Sequence, residues 1–161
     1  MQSLLRRPEE ILAYRTLRQI LGPAPRPVWA VSPSDTILTA IRLMSEKDIG
    51  FVPAIENGRL VGVLSERDCA RDVVLRGRPA DTTPIGDIMV RNVITADLSH
   101  TFADCLRIMH QNRIRHLPVV DSGNVIAVIS IRDLMSEAVA HHAKIIDQLE
   151  RERLTMFTST V

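Results

Sequence analysis

The hexapeptide Val63-Leu64-Ser65-Glu66-Arg67-Asp68 is written a second time, 65 residues on, as Val128-Ile129-Ser130-Ile131-Arg132-Asp133. At the same offset and without a gap, Val28 aligns with Val93, Ser34 with Ser99, Thr36 with Thr101, Met44 with Met109, Pro53 with Pro118 and Gly58 with Gly123. Such a duplication constrains the fold more than any local pattern does, because each copy is one supersecondary unit whose apolar face needs its neighbour. In a chain of 161 residues, 45% of them apolar, the two copies are expected to share one composite domain.

Within each copy the signals follow one order. Val28 to Val31 reads as a short strand. Pro33-Ser34-Asp35-Thr36 then supplies turn and capping oxygens, and Ile37, Ala40, Ile41 and Met44 form one face of a helix. The second copy repeats this stripe with Phe102, Cys105, Leu106 and Met109 behind Ser99-His100-Thr101. Two apolar runs separated by a tight turn follow each helix: 51–55 and 60–64 around Glu56-Asn57-Gly58, and 117–120 and 125–129 around Asp121 to Asn124. These predict hairpins. Ser65 and Ser130 open a closing helix, so each copy reads β-α-β-β-α in an α/β (α+β) fold, with the two copies related by a pseudo-two-fold.

The flanks divide the chain further. Residues 9–21 have near-helical apolar spacing and stop at Gly22-Pro23, which predicts a short amphipathic helix followed by a stiff connector through Pro25 and Pro27. Between the copies, 76–84 has the Gly, Pro and hydroxyl residues of a surface connector. After the second copy no Gly or Pro interrupts a long helix whose apolar Leu134, Ala138, Ile145, Leu149 and Leu154 call for another surface, which suggests a partner subunit. The expected divisions are 1–27, 28–75 (first repeat), 76–89 (linker), 90–136 (second repeat) and 137–161.

A net charge of +1 with interspersed signs gives no reason to expect nucleic acid, and no long apolar run suggests a membrane. No apolar signal segment follows Met1, so the protein is expected in the cytoplasm. Cys69 and Cys105 read as small buried hydrophobes. His141-His142 is not expected to bind a metal, because adjacent residues point to different helical faces. No nucleophile elbow, P-loop or His-Glu-x-x-His motif is present, so no enzyme activity is expected.

Taken alone, Ser65-x-x-Asp68 and Ser130-x-x-Asp133 are capping boxes in which a hydroxyl and a carboxylate satisfy the free N–H groups at a helix start. The same arrangement suits a nucleotide. A carboxylate in the first turn can accept hydrogen bonds from two ribose hydroxyls, while Arg67 or Arg132 beside it meets phosphate. Pro53 and Pro118 read as residues of an edge strand, where a missing N–H costs nothing.

The duplicated unit, with Ile85-Gly86-Asp87-Ile88-Met89 before the second copy, Pro-Ala and Pro-Val in the strands and a closing Ser-x-Arg-Asp, resembles the CBS domain. A tandem pair of CBS domains is called a Bateman module. The resemblance, to the stand-alone bacterial type, covers about Val28 to Met135 and implies a regulatory module. Its expected ligand is an adenine nucleotide (AMP, ADP, ATP or NAD(H)) held in the cleft between the repeats, with an unidentified regulated protein and a second copy of the chain as partners. The resemblance assigns ribose contacts to Ser65, Asp68, Ser130 and Asp133. It assigns adenine or phosphate contacts to Gly50, Phe51 and Val52 before Pro53, and to Arg115, His116 and Leu117 before Pro118. Thr95 matches a position near the base edge, where the first copy has Ala30. Arg115, His116 and Arg132 give the second site more positive charge than Gly50, Phe51 and Arg67 give the first, so the second is expected to prefer the more highly charged phosphate. The family often has Gly where the last strand begins, as at Gly62, whereas Ala127 in the second copy suggests that a ligand approaches that backbone less closely. The rival expectation is a scaffold protein that keeps the fold and binds no ligand.

Overall fold

The structure is a computed structural model and describes residues 12–23 and 27–158. The elements follow the predicted order: α1 (Leu17–Leu21), α2 (Ile37–Lys47), β1 (Phe51–Glu56), β2 (Arg59–Ser65), α3 (Glu66–Ala70), α4 (Phe102–Asn112), β3 (His116–Asp121), β4 (Asn124–Ser130) and α5 (Ile131–Thr158). The two strands of each copy form a two-stranded sheet. The duplication reaches the backbone torsions. Left-handed residues recur at the 65-residue offset, with Asp48 and Arg113 ending α2 and α4, and Asn57-Gly58 and Ser122-Gly123 turning the hairpins. Positive φ at both central residues gives a turn whose twist matches that of the flanking strands, which is why the second central residue is glycine in both copies.

The described chain divides into two compact units. One gathers 12–23, 99–115 and 129–158; the other gathers 27–98 and 116–128. In the second unit, Ile37, Ala40 and Met44 of α2 pack with Val52, Ala54 and Leu64 of the first hairpin, Cys69 of α3, and Val31, Ile85 and Met89 from the connecting segments. The strands predicted at 28–31 and before Ala96 shrink to single parallel bridges, Val31 with Ala54 and Ala96 with Val119. Proline explains why. Val31 N donates to Pro53 O (3.0 Å) and Ile55 N to Val31 O (2.8 Å), so the next rung of a parallel ladder would need an N–H from Pro53 to residue 29. Pro118 stops the second ladder in the same way after Ala96 N to Pro118 O (2.9 Å) and Val120 N to Ala96 O (2.8 Å). Pro53 is therefore not on an outer edge. It lies between β2 and the bridge at Val31, is fully buried, and terminates a ladder.

The connector at 76–84 is also more anchored than its composition suggests. Thr83 O accepts from Ile37 N and Ala80 O from Leu38 N, while Asp35 O and Pro33 O hold Ile85 N and Gly86 N at 2.8 Å each. Buried Asp72, on the π-helical continuation Arg71–Leu75 of α3, pairs with Arg76 (3.0 Å) and Arg78 (3.4 Å) and fastens the connector's start. Loop-type residues here mean irregular backbone, not loose backbone.

In the first unit, the helix expected at 9–21 appears as a 3-10 turn, Leu12–Tyr14, followed by α1; residues 9–11 lie outside the described ones. Thr16 breaks it. Its extended backbone caps α1 through a capping box with Gln19 and bridges Thr101, with Leu17 N on His100 O and Phe102 N on Arg15 O, both 2.8 Å. Arg15 also pairs with Glu137 on α5. The start of α4 is closed by a second box, in which Asp104 Oδ2 accepts from Thr101 N (3.0 Å) and Thr101 Oγ1 (2.7 Å). Those bonds, with Arg107 at 2.6 Å, lower the Asp104 pKa from 3.8 to about 2. A depressed carboxylate pKa stabilises the fold above the unfolded value and loses that contribution as pH falls through the folded one. Thr101→Ala is thus expected to cost about 1 kcal/mol near neutral pH and to flatten the pH dependence of stability between about pH 4 and 2. Urea unfolding of both proteins across that range measures it, and identical pH profiles would contradict it.

Candidate functional site

Each hairpin delivers its last strand residue directly into the start of a helix, and a serine stands there in both copies. Ser65 N donates to Asp68 Oδ2 (3.0 Å) while Ser65 Oγ accepts from Asp68 N (3.3 Å). Ser130 and Asp133 repeat the box at 2.7 Å and 3.2 Å. The capping role read from the sequence is present, and in both boxes it is Oδ2 that is used. Oδ1 of Asp68 and of Asp133 accepts no hydrogen bond from described residues, and Asp133 is exposed while Asp68 is half-buried. Arg67, Arg115 and Arg132 are exposed and form no ion pair among the described residues.

Around the first box, Phe51 lies opposite Ser65 in the sheet, and Gly50 O accepts from Glu66 N at 3.1 Å. The ladder that ends at Val31 leaves Phe51 O without a backbone partner on that edge among the described residues. Around the second box, Arg115 O accepts from Ile131 N at 2.9 Å. Val52, Pro53, Leu117 and Pro118 are fully buried, so their side chains are not open to a ligand, and the Pro53 and Pro118 carbonyls already serve the bridges. His116 does not project alone. Its ring lies flat on that of Phe51, with centroids 4.9 Å apart and an interplanar angle of 11°, which joins the starts of β1 and β3. Thr95 is exposed at the opposite end of the hairpins. It lines an open depression of about 650 Å³ with the two turn tips and residues 91–93, and no other residue assigned to the nucleotide from the sequence lines it.

Glu66 escaped the sequence reading. A methyl group on Gly50 would lie 3.1 Å from Glu66 Oε2, so this carboxylate leans over Gly50, where the second copy has Ile131 beside Arg115. Aligning the two hexapeptides would have exposed the difference. Gly62 needs correcting. A methyl group there would meet Met89 Sδ at 2.5 Å and Val90 O at 3.2 Å, so the glycine makes room for packing rather than for a ligand. The two cysteines are buried, and burial first, then neighbouring Asp68, pushes the Cys69 thiol up to about 11. His141 and His142 stand edge to face at 6.4 Å, and no cluster of three or more His, Cys, Asp or Glu suited to a metal ion occurs among the described residues. No described helix is long and apolar enough to cross a membrane.

Duplicated hairpins that each open into a Ser-Asp box define a paired-repeat architecture, and comparison with known proteins gives it a family. The CBS-domain family matches residues 18–74 and 85–140. The chain belongs to that family. It is 34% identical over 107 residues to the CBS domain-containing protein YhcV of Bacillus subtilis, spanning 66% of this chain and 76% of that one. A solved CBS-domain structure from Burkholderia ambifaria superposes with a TM-score of 0.73 at 38% identity, covering 78% of this chain and 94% of the other. The CBS-domain pair of protein MJ0100, solved in complex with 5′-methylthioadenosine and S-adenosyl-L-methionine, shares the fold with a TM-score of 0.68 at 24% identity, over 78% of this chain and 96% of that one.

Proposed function

We propose that this chain is a regulatory module of the cytoplasm that binds an adenine nucleotide (AMP, ADP, ATP or NAD(H)) and thereby alters a partner protein. The observation that carries this reading is the repeated Ser-Asp box in which one carboxylate oxygen caps the helix and the other accepts no hydrogen bond from a described residue. Oδ1 is then the acceptor offered to a ribose, with Arg67 or Arg132 nearby for phosphate. The open edge at Phe51, created by Pro53, adds a main-chain carbonyl beside the first box. Glu66 over Gly50 repels phosphate, while Arg115 beside Ile131 attracts it. This supports the expectation that the second copy takes the more highly charged ligand. We keep the repeat boundaries at 28–75 and 90–136 for this reading, with the linker at 76–89. The adenosyl ligands held by the MJ0100 pair fit the same chemistry. Ligand acts by favouring one arrangement of the module over another, and its leverage equals its differential affinity for the two.

Denaturing the purified protein and identifying released small molecules by mass spectrometry tests the reading. An adenine nucleotide supports it. Its absence, together with no heat on titrating AMP, ATP or NAD(H), would leave a scaffold as the function.

The partner we assign to α5 is a second copy of the chain. At about 1.5 Å per residue the 28-residue helix is roughly 42 Å long; Leu134, expected to need another surface, is buried within the chain, whereas Val139, Ile146 and Leu149 are exposed at 70%, 57% and 51%. Truncation after Glu137 is expected to raise the dimer dissociation constant at least about tenfold in sedimentation measurements. A monomeric full-length protein at high concentration contradicts the assignment.

A further inference from the structure

The depression at the hairpin tips is absorbed neither by the nucleotide reading nor by the packing. Arg59 and Ser65 are the first and last residues of β2, so the depression lies about 20 Å along the strand from the Ser65-Asp68 box, at roughly 3.3 Å per residue. Its volume of about 650 Å³ is that of a small-molecule site, yet such sites are usually apolar and this one is not. Arg59 and Arg91 line it, and no acidic residue does among those described. Glu56 is the register partner of Arg59, yet among the described residues Arg59 forms no ion pair or side-chain hydrogen bond. Arg91 donates one Nη2–H to Gly86 O at 2.7 Å, which positions the guanidinium while leaving donors unused. Asn57, Asn92, Thr95 and Ser122 add neutral hydrogen-bonding groups, and the two turns that carry Asn57 and Ser122 are fixed by their left-handed residues.

Two guanidinium groups in a lining that holds no carboxylate, with Glu56 beside Arg59 outside it, make a donor-rich hollow of net positive lining. The planar fork of arginine matches two oxygens of one phosphoryl group, and an unpaired arginine is the one with donors to spare. We propose that this depression is a second ligand site, which takes the phosphoryl group of a phosphorylated small molecule. The site does not depend on the nucleotide reading, because it shares only Thr95 with the residues assigned to that ligand.

The test is a chemical-shift titration of the full-length ¹⁵N-labelled protein with inorganic pyrophosphate, with glucose 6-phosphate as an ester, and with potassium chloride at matched ionic strength. Saturable shifts of the Gly58, Arg91, Thr95 and Gly123 amides are expected with the phosphates and not with chloride. Whichever of the free anion and the ester binds more tightly identifies the source of the phosphoryl group. Arg59→Gln is expected to weaken binding about tenfold or more, while the double variant Asp68→Ala, Asp133→Ala leaves it unchanged. Failure of the nucleotide reading would show as loss of adenosine binding with these shifts intact. Shifts reproduced by chloride alone, or equal affinity in wild type, Arg59→Gln and Arg91→Lys, would overturn the site.

Discussion

Asp68→Ala and Asp133→Ala are each expected to lower the affinity of the corresponding site for an adenine nucleotide by roughly a hundredfold. The effect is large because two bonds go at once. A carboxylate facing a ribose accepts from both hydroxyls, and two charge-assisted hydrogen bonds contribute roughly 3 kcal/mol or more, with each 1.4 kcal/mol worth about tenfold. The fold loses less. Each carboxylate receives the serine N–H through Oδ2, and removing that half of a capping box costs about 1 kcal/mol. Asp→Asn separates the contributions, since its amide oxygen still accepts from the serine but brings no charge to the ligand. Calorimetric titration of the four single variants and the double alanine variant is the measurement. Affinities that stay at the wild-type value throughout would remove the nucleotide from these positions and leave the boxes as caps.

Local chemistry made much of the fold legible. Alternating apolar residues on either side of Asn57-Gly58 and Ser122-Gly123 specify hairpins because side chain and turn act within a few residues of each other. Thr36 and Thr101 mark helix starts for the same reason. What escaped the sequence was non-local. Whether 28–31 is a strand depends on residue 53, more than twenty positions away, and a proline there removes the rung that would extend it. The composition of 76–84 says loop, but buried Asp72 decides how tightly its start is fastened. The site divides along the same line. Ser65 with Asp68 and Ser130 with Asp133 are readable because they are three residues apart. The stacking of Phe51 on His116 joins residues 65 positions apart, and the approach of Arg59 to Arg91 around one hollow depends on how the turn is placed.

Gly62→Ala is expected to destabilise the protein by about 1–3 kcal/mol, the usual cost of forcing an extra methyl into a filled core. The glycine is not there for backbone freedom, since its φ lies outside the left-handed region. It is there because Met89 occupies the space. Sδ and Cγ would stand 2.5 and 2.8 Å from an added Cβ, and Met89 is only 8% exposed, so its side chain has little solvent to retreat into. The Val90 carbonyl at 3.2 Å cannot retreat either, because Val63 and Val90 exchange hydrogen bonds of 3.0 and 2.9 Å. Ala127, the aligned residue, is buried with its methyl in place, so the same substitution carries opposite meanings in the two copies. A loss of 2 kcal/mol corresponds to a fall of roughly 4–8 °C in the melting temperature of a chain this size. The cause can be isolated with a double-mutant cycle. Met89→Ala costs stability alone but should recover part of the Gly62→Ala loss, because the shortened side chain vacates the position the new methyl needs. Nucleotide affinity of Gly62→Ala below its melting transition should equal that of wild type. If affinity fell while stability held, the glycine would be serving a ligand, and the role assigned to Met89 would be wrong.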